Sequence, residues 1–132
     1  MKFKKKINTW IFDLDNTLYS ADSGIFQQVH KLMGKFIAEN LNMDLPDAKK
    51  LQTKYYKQHG TTLRGLMDNH GVDPDFFLNE VHKLNYSIVG PNEGLNTELK
   101  KLEGRKLIYT NANKQHVIDV LDRINLTNFF DE

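Results

Sequence analysis

An apolar run near the start of the chain contains Ile7, Trp10, Ile11 and Phe12. The run is rich in β-branched and aromatic residues and is flanked by polar residues, which is typical of a buried strand in a parallel sheet. A second run, Lys-Leu-Ile-Tyr-Thr over residues 106–110, predicts a second strand. Apolar residues then recur at helical spacing from Val117 to Ile124, which predicts a helix after that strand.

Residues 22–86 have a different pattern, in which apolar positions recur at helical spacing without a strand signal. The longest series consists of Ile25, Phe26, Val29, Leu32, Met33, Phe36, Ile37 and Leu41. Gly60, Gly71 and Asp73 supply the cap and turn residues that divide the remainder into further helices. The sequence therefore predicts an α/β fold that is interrupted, directly after its first strand, by a helical insertion.

Composition narrows the class of protein. The chain has 132 residues, the length of one ordinary domain, and its net charge of +1 provides no overall field for nucleic acid or a membrane surface. The absence of cysteine excludes disulfides and thiolate metal sites and indicates a cytoplasmic protein. No apolar run approaches the roughly 20 residues of a membrane span, and the histidines lack the spacing of a zinc site.

Two carboxylates, Asp13 and Asp15, follow the first predicted strand directly. Ligands bind at the carboxyl ends of the strands in open α/β sheets. Two carboxylates so close together on a strand exit cost free energy unless a cation or hydrogen-bond donors compensate them. The pair alone is also compatible with a solvated turn, because Asn16 and Thr17 supply turn chemistry just beyond it.

The longer segment around this pair is more specific. Residues 12–19, Phe-Asp-Leu-Asp-Asn-Thr-Leu-Tyr, resemble the first motif of the haloacid dehalogenase-like (HAD) superfamily of phosphatases, D-x-D-x-[TV] after a hydrophobic strand. The resemblance implies a Rossmann-like core with a parallel sheet, incomplete in this chain, and an all-helical cap inserted after the first motif. We therefore expect residues 1–20 and 91–132 to form the α/β core and residues 21–90 to form the cap.

The same resemblance implies a role for each aspartate. Asp13 would attack phosphorus and carry an aspartyl-phosphate intermediate. Asp15 would protonate the leaving oxygen and later take a proton from the attacking water. Mg²⁺ would lie between the Asp13 carboxylate, the Asp15 backbone carbonyl and the phosphate, where a hard cation suits the oxygen ligands and lets an anionic nucleophile approach an anionic ester.

Thr110 and Asn111 follow the second predicted strand and resemble the second motif of the superfamily. The resemblance implies that they form the phosphate site, with the Thr110 hydroxyl on a phosphate oxygen and backbone N–H groups near the start of the next helix beside it. Taken alone, a Thr-Asn pair after a strand also fits a simple turn with a helix cap. Its occurrence together with the Asp13–Asp15 motif favours the phosphate site.

A segment of the predicted cap points to a branch of the superfamily. Residues 55–66, Tyr-Tyr-Lys-Gln-His-Gly-Thr-Thr-Leu-Arg-Gly-Leu, resemble the cap of the pyrimidine 5′-nucleotidases. That resemblance implies nucleoside monophosphates, or similar small phosphate monoesters, as substrates, with Tyr55 and Arg64 as candidate contacts. Each has an ordinary alternative, since Tyr55 could pack in the core and Arg64 could be a surface charge.

Two later motifs of the superfamily have no counterpart in this sequence: a lysine that pairs with the nucleophile and an acidic pair that completes the Mg²⁺ shell. Lys114 lies too close to the second motif to be that lysine. We therefore expect a C-terminally truncated chain, or one whose sheet is completed by another copy. Two strands are marginal by themselves, so we expect self-association through the open sheet edge and little activity from the 132-residue chain alone.

Other functions stay open at this point. A haloacid dehalogenase shares the aspartate nucleophile, but it does not need Asp15 to protonate a leaving alkoxide. A phosphoglucomutase-type enzyme has a similar motif and differs in the acceptor of the phosphoryl group. Outside the enzymes, the alternative is a truncated HAD-like module that binds a ligand or a partner without catalysis.

Overall fold

The computed structural model describes residues 6–131 and has a mixed helix and strand architecture. Its strands and α-helices, in chain order, are β1 (Thr9–Phe12), α1 (Ile25–Asn40), α2 (Leu45–His59), α3 (Thr62–His70), α4 (Pro74–Val81), α5 (Glu93–Lys101), β2 (Arg105–Ile108) and α6 (Lys114–Arg123). Short 3₁₀ turns cover Ala21–Ser23, Tyr86–Ile88 and Thr127–Phe129. The architecture confirms the predicted α/β class. None of the described helices is both long and apolar enough to cross a membrane.

The helices after α1 begin where a polar side chain satisfies a backbone N–H group that has no partner within the helix. The capping residues are Asp44 for α2, Thr61 for α3, Asp73 for α4, Asn92 for α5 and Asn113 for α6. Pro residues occupy the first turns of α2 and α4, where their missing N–H group costs nothing. Local sequence therefore determines the beginnings of these helices.

Contacts divide the chain into two compact units, one formed by residues up to 26 and from 86 onward, the other by residues 27–85. The second unit is a little shorter than the predicted cap over residues 21–90, and α1 begins in the first unit. Whether the helical unit acts as a cap stays a prediction.

The helical unit has a continuous apolar core: Val29, Phe36, Ile37, Ala48, Tyr55, Leu66, Phe77 and Val81. The rings of Phe36 and Phe77 meet edge to face, with 5.0 Å between their centroids. Helices α2 and α3 approach closely because Gly65 has no side chain; a Cβ atom there would lie 2.4 Å from Cβ of Tyr55. This contact explains a glycine in the middle of a helix, where it is otherwise unfavourable.

The other unit contains the sheet. β1 and β2 are parallel, with Thr9 opposite Arg105 and Phe12 opposite Ile108. The predicted second strand over residues 106–110 is wrong at its end, because β2 stops at Ile108. The reason is local: the Thr110 hydroxyl accepts a hydrogen bond from the backbone N–H of Ala112 at 3.1 Å, which begins a turn.

One face of this sheet is more open than the sequence predicts. Ile11 is 69% exposed and Tyr109 is 75% exposed, although parallel strands are normally covered on both faces. Successive side chains of a strand alternate, so Phe12 points the other way and packs edge-on against Phe130, with 5.7 Å between ring centroids. No residue of β1 is fully buried and Ile11 is exposed, so the prediction of a buried strand is wrong.

Asp131 makes two hydrogen bonds to the backbone of Lys106 in β2. Asp131 donates its N–H to the carbonyl of Lys106 at 2.7 Å, and its Oδ2 accepts the N–H of Lys106 at 2.8 Å. These contacts do not test the predicted self-association through the sheet edge, which stays a prediction.

Gly104 is the position beside the sheet that tolerates a side chain least. Its φ is +105°, and a Cβ atom there would lie 2.5 Å from the backbone oxygen of Asn8. We expect Gly104→Ala to lower the free energy of unfolding by about 2–5 kcal/mol, because backbone strain adds to the overlap with Asn8. Urea unfolding followed by circular dichroism measures this change.

Gly71→Ala is the matched control for that substitution. Gly71 also has a positive φ, +63°, but no described atom beyond its chain neighbours lies within 4 Å of a Cβ built there. Its substitution should therefore cost only the strain of the left-handed conformation, about 1–2 kcal/mol. Equal losses in the two variants would contradict the close approach of Gly104 and Asn8.

Candidate active site

The carboxyl ends of the two strands meet at one edge of the sheet. β1 and β2 end opposite each other in the register, and the backbone N–H of Tyr109 extends the pairing by donating to the carbonyl of Phe12 at 2.8 Å. Two predicted pairs of site residues follow at this edge: Asp13 and Asp15 after β1, Thr110 and Asn111 after β2. The structure therefore brings the two sequence motifs to the same edge, where ligands bind in open α/β sheets.

A tight turn after β1 folds the chain back towards Asp13. The carbonyl of Leu14 accepts the backbone N–H groups of Thr17 at 3.2 Å and Leu18 at 3.0 Å. Asn16 has a φ of +58°, a conformation that Asn adopts more readily than most residues. Leu14 is fully buried and anchors the turn. As a result, the hydroxyl of Thr17 donates to Oδ2 of Asp13 at 2.7 Å, while Asp13 itself stays exposed.

Asp15 lies in a different environment from Asp13. Its side chain is only 27% exposed. Oδ1 of Asp15 accepts the hydroxyl of Tyr19 at 2.6 Å and lies 2.7 Å from Nε2 of His116. A partly buried carboxylate is thus compensated by two hydrogen-bond donors, which offset the cost of removing it from water.

His116 lies in the first turn of α6 and is 1% exposed. Its Nδ1 is 2.7 Å from the hydroxyl of Tyr86. Oδ1 of Asp15 is the acceptor in this contact, as it is towards Tyr19, so Nε2 of His116 carries the proton between them. In the neutral ring Nδ1 is then the acceptor, and Tyr86 donates to it. A continuous chain of hydrogen bonds therefore connects Tyr86 through His116 to Asp15.

Both tyrosines of this network are held in their protonated form. Burial, followed by the hydrogen bond to Asp15 and its negative charge, raises the pKa of Tyr19 well above its usual value. Burial, followed by the charges of Asp119 and Asp15, raises the pKa of Tyr86 in the same direction. Each hydroxyl consequently keeps the proton that it donates.

The second predicted motif forms a turn that leads into α6. The Thr110 hydroxyl accepts the N–H of Ala112, and the Asn113 side chain caps the helix by accepting the N–H of His116 at 2.9 Å. Thr110 is partly buried and Asn111 is exposed. The turn and the helix cap that the sequence left open are both present, and phosphate binding by Thr110 and Asn111 stays a prediction.

The two candidate substrate contacts lie in the helical unit. Tyr55 is 6% exposed, and its hydroxyl lies 2.7 Å from Nε2 of His70. Arg64 is exposed, with its Nε 3.3 Å from the carboxylate of Asp68. Tyr55 thus belongs to the core and Arg64 to a surface ion pair on its own helix. Contact of either residue with substrate stays a prediction.

Some of the oxygen ligands expected for Mg²⁺ are present at this site. Asp13 offers an exposed carboxylate, and oxygen donors of this kind suit the ion. The carboxylate of Asp15 is engaged by two donors, so the backbone carbonyl of Asp15 fits the expected ligand role better than its side chain. Within residues 6–131, no group of three or more His, Cys, Asp or Glu side chains is arranged to hold a metal ion.

Tyr19, Tyr86 and His116 are site residues that the sequence does not reveal as such. His116 stands on the stripe of α6 that also carries the buried Val120, one turn later. A polar residue on an apolar stripe needs a buried hydrogen-bond partner. The position of His116 on this stripe therefore indicates that such a partner exists. The partner itself could not be named, because Asp15 is 101 positions away in the chain.

Comparisons with known proteins identify the family of this chain. Residues 10–132 match the family model described as haloacid dehalogenase-like hydrolase, and the chain therefore belongs to that family. Phosphate metabolism protein 8 of Saccharomyces cerevisiae is a similar protein, 26% identical over 133 aligned positions. The alignment covers 92% of this chain and 41% of that protein, so the chain spans about two fifths of its length. The predicted superfamily is confirmed, and the pyrimidine 5′-nucleotidase branch stays a prediction.

The bond from Thr17 to Asp13 gives the first test of the site. Thr17→Val removes the hydroxyl and keeps the shape of the side chain. We expect hydrolase activity to fall about 10- to 100-fold, because a hydrogen bond to a charged group is worth about 1.5–3 kcal/mol and here it fixes the orientation of the carboxylate. Thr17→Ser keeps the hydroxyl and should retain most of the activity. Full activity of the Val variant in a phosphate-release assay would show that this bond has no role.

Proposed function

We propose that the protein is a Mg²⁺-dependent phosphomonoester hydrolase that works through an aspartyl-phosphate on Asp13, with nucleoside monophosphates as substrates. The observation that carries the proposal is the contrast between two neighbouring carboxylates at one strand exit. Asp13 is exposed and oriented by Thr17, whereas Asp15 is partly buried and held by Tyr19 and His116. Carboxylates in such different environments suit different catalytic tasks.

The exposed carboxylate suits the nucleophile. Asp13 can approach a phosphorus atom from the edge of the sheet, and attack forms a mixed anhydride while the ester oxygen leaves. Asp15 donates a proton to that oxygen and then takes a proton from the water that hydrolyses the anhydride. Thr110, Asn111 and the N–H groups at the start of α6 stand at the same edge, where they would bind the phosphate oxygens.

Members of the family generally use Mg²⁺, and the proposal includes it. The Asp13 carboxylate and the Asp15 backbone carbonyl would hold the ion. When bound, Mg²⁺ would neutralise charge on the phosphate and allow the anionic carboxylate to approach it.

Three observations support the proposed class of substrate. The resemblance of residues 55–66 to the cap of pyrimidine 5′-nucleotidases favours nucleoside monophosphates. The relative named Phosphate metabolism protein 8 favours a phosphate substrate over a halogenated acid. The presence of Asp15 in a fixed position supports the same choice, because dehalogenation expels a halide that needs no proton. We further expect the protein to be cytoplasmic.

A substrate panel tests this function. The protein at its natural length is assayed with Mg²⁺ against uridine, cytidine, adenosine and guanosine monophosphates, sugar phosphates and 2-haloacids. The proposal predicts release of phosphate from the nucleoside monophosphates, fastest with the pyrimidines, and no release of halide. The Asp13→Asn protein, purified in parallel, measures contamination by other phosphatases. Halide release without phosphate release would refute the proposal.

A further inference from the structure

We propose that His116 and Tyr86 are positioning residues for Asp15, and that together they hold its carboxylate in the orientation in which it transfers protons. The inference rests on the function proposed above, since it assumes that Asp15 carries out proton transfer. Its basis is the chain of short contacts from the Tyr86 hydroxyl to Nδ1 of His116, and from Nε2 of His116 to Oδ1 of Asp15, each 2.7 Å long. All three residues belong to the same compact unit.

Two hydrogen-bond donors hold the carboxylate of Asp15 in one orientation. Tyr19 and His116 both donate to the same oxygen, Oδ1 of Asp15. Two donors that converge on one oxygen from different elements resist rotation of the carboxylate group. Oδ1 is therefore the oxygen through which the orientation of the Asp15 carboxylate is fixed.

The tautomer of the His116 ring decides whether it can donate to Asp15. Neutral imidazole has two tautomers, and only the one with a proton on Nε2 can donate to Asp15. Donation by the Tyr86 hydroxyl to Nδ1 reinforces that tautomer, as partners of the second nitrogen do for histidine ligands of metals. In the other tautomer a lone pair of Nε2 would face the lone pairs of Oδ1 of Asp15, which accepts the hydroxyl of Tyr19. Tyr86 therefore acts on Asp15 through His116.

Helix α6 also holds the segment that carries Tyr86. Arg123 lies two helical turns after His116 on α6, so the two side chains leave the helix on the same side. Nε of Arg123 donates to the carbonyl of Tyr86 at 3.0 Å, and a second guanidinium nitrogen donates to the carbonyl of Ser87 at 3.2 Å. One helix thus fixes both the ring that contacts Asp15 and the backbone of the residue that orients the ring.

A purely structural role for His116 is the competing explanation, because a buried polar residue that loses its partners destabilises any fold. Two readouts separate the explanations. The first is the dependence of kcat/KM on the leaving group, because kcat/KM reports the step in which the leaving oxygen is protonated. The second is the ¹⁵N NMR signature of the His116 tautomer, which requires no turnover.

The variants are His116→Leu, His116→Gln and Tyr86→Phe, each assayed with uridine monophosphate and with p-nitrophenyl phosphate. We expect His116→Leu to lower kcat/KM for the nucleotide about 10- to 100-fold, with a much smaller loss for p-nitrophenyl phosphate, whose leaving group needs no proton. His116→Gln places an N–H donor near the position of Nε2 and should recover most of the activity. Tyr86→Phe should cause a smaller loss of the same kind and no further loss in the His116→Leu background.

Val120→Ala is the control for general damage to the helix, since Val120 is fully buried one turn after His116. It should lower stability and reduce kcat/KM for both esters by the same factor. The NMR spectrum should show the proton on Nε2 of His116 in the wild-type protein, and the Nδ1 signal should shift in Tyr86→Phe, because that nitrogen loses its hydrogen-bond donor. Equal losses for both esters in His116→Leu, or a wild-type ring protonated on Nδ1 alone, would overturn the inference. A wild-type protein that hydrolyses neither ester would instead refute the proposed function, and this role with it.

Discussion

Asp13→Asn is expected to abolish phosphate release while the protein stays folded. An amide cannot form the acyl phosphate, and loss of a catalytic nucleophile in other hydrolases lowers kcat by several orders of magnitude, on the order of 10⁶-fold in one well-studied case. Asp13 is exposed and accepts a hydrogen bond from Thr17, which the carbonyl oxygen of an Asn side chain can still accept. The free energy of unfolding should therefore change by less than about 1 kcal/mol.

The matched control is Asp22→Asn, which makes the same change of charge at another exposed aspartate of the same unit. It should leave both activity and stability unchanged. Phosphate release and urea unfolding are measured for both variants. Activity of Asp13→Asn within tenfold of the wild-type protein would rule out Asp13 as the nucleophile.

Asp15→Asn is expected to cause the second-largest loss, and the loss should depend on the leaving group. General acid catalysis contributes about 10²–10⁴-fold, so kcat/KM for a nucleoside monophosphate should fall by that factor. An activated ester such as p-nitrophenyl phosphate needs no proton on its leaving oxygen and should lose far less. Asn can still accept hydrogen bonds from Tyr19 and His116 at one oxygen, so the fold should be retained.

The same variant should separate the two chemical steps. With the activated ester, the first step forms the acyl phosphate on Asp13, but hydrolysis of that intermediate lacks the base supplied by Asp15. Rapid mixing should therefore show a burst of p-nitrophenol that approaches one equivalent of enzyme, followed by slow turnover. An identical loss of kcat/KM for both esters, with no burst, would contradict the assignment of Asp15 as acid and base.

The sequence predicts the main features of this fold because they depend on local patterns. The helical spacing of residues 22–86 and the capping residues are sufficient to locate the helices, and the apolar runs locate both strands. The end of β2 was misplaced because Thr110 uses its hydroxyl to begin a turn, which competes with extension of the strand. The exposure of Ile11 was missed because an apolar run alone does not reveal how much of each sheet face is covered.

Prediction of the site was limited by the distance in sequence between its parts. Asp13 and Asp15 are adjacent to a recognisable strand, and their motif was visible. The network around Asp15 joins residues from three separate segments, namely Tyr19, Tyr86 and His116. Helix α6 brings them together, because it contacts both Asp15 and the segment that carries Tyr86. The pattern can indicate that His116 needs a buried partner, but it cannot identify that partner.

The most direct test of the account is to trap the intermediate. The protein is mixed with Mg²⁺ and a nucleoside monophosphate, quenched in acid within the first turnover, digested and examined by mass spectrometry. The account predicts one phosphoryl group on the peptide that contains residues 12–19, located on Asp13 by fragmentation and absent from Asp13→Asn. Phosphate found on a different residue, or turnover with no phosphorylated peptide in either wild-type or Asp15→Asn protein, would contradict it.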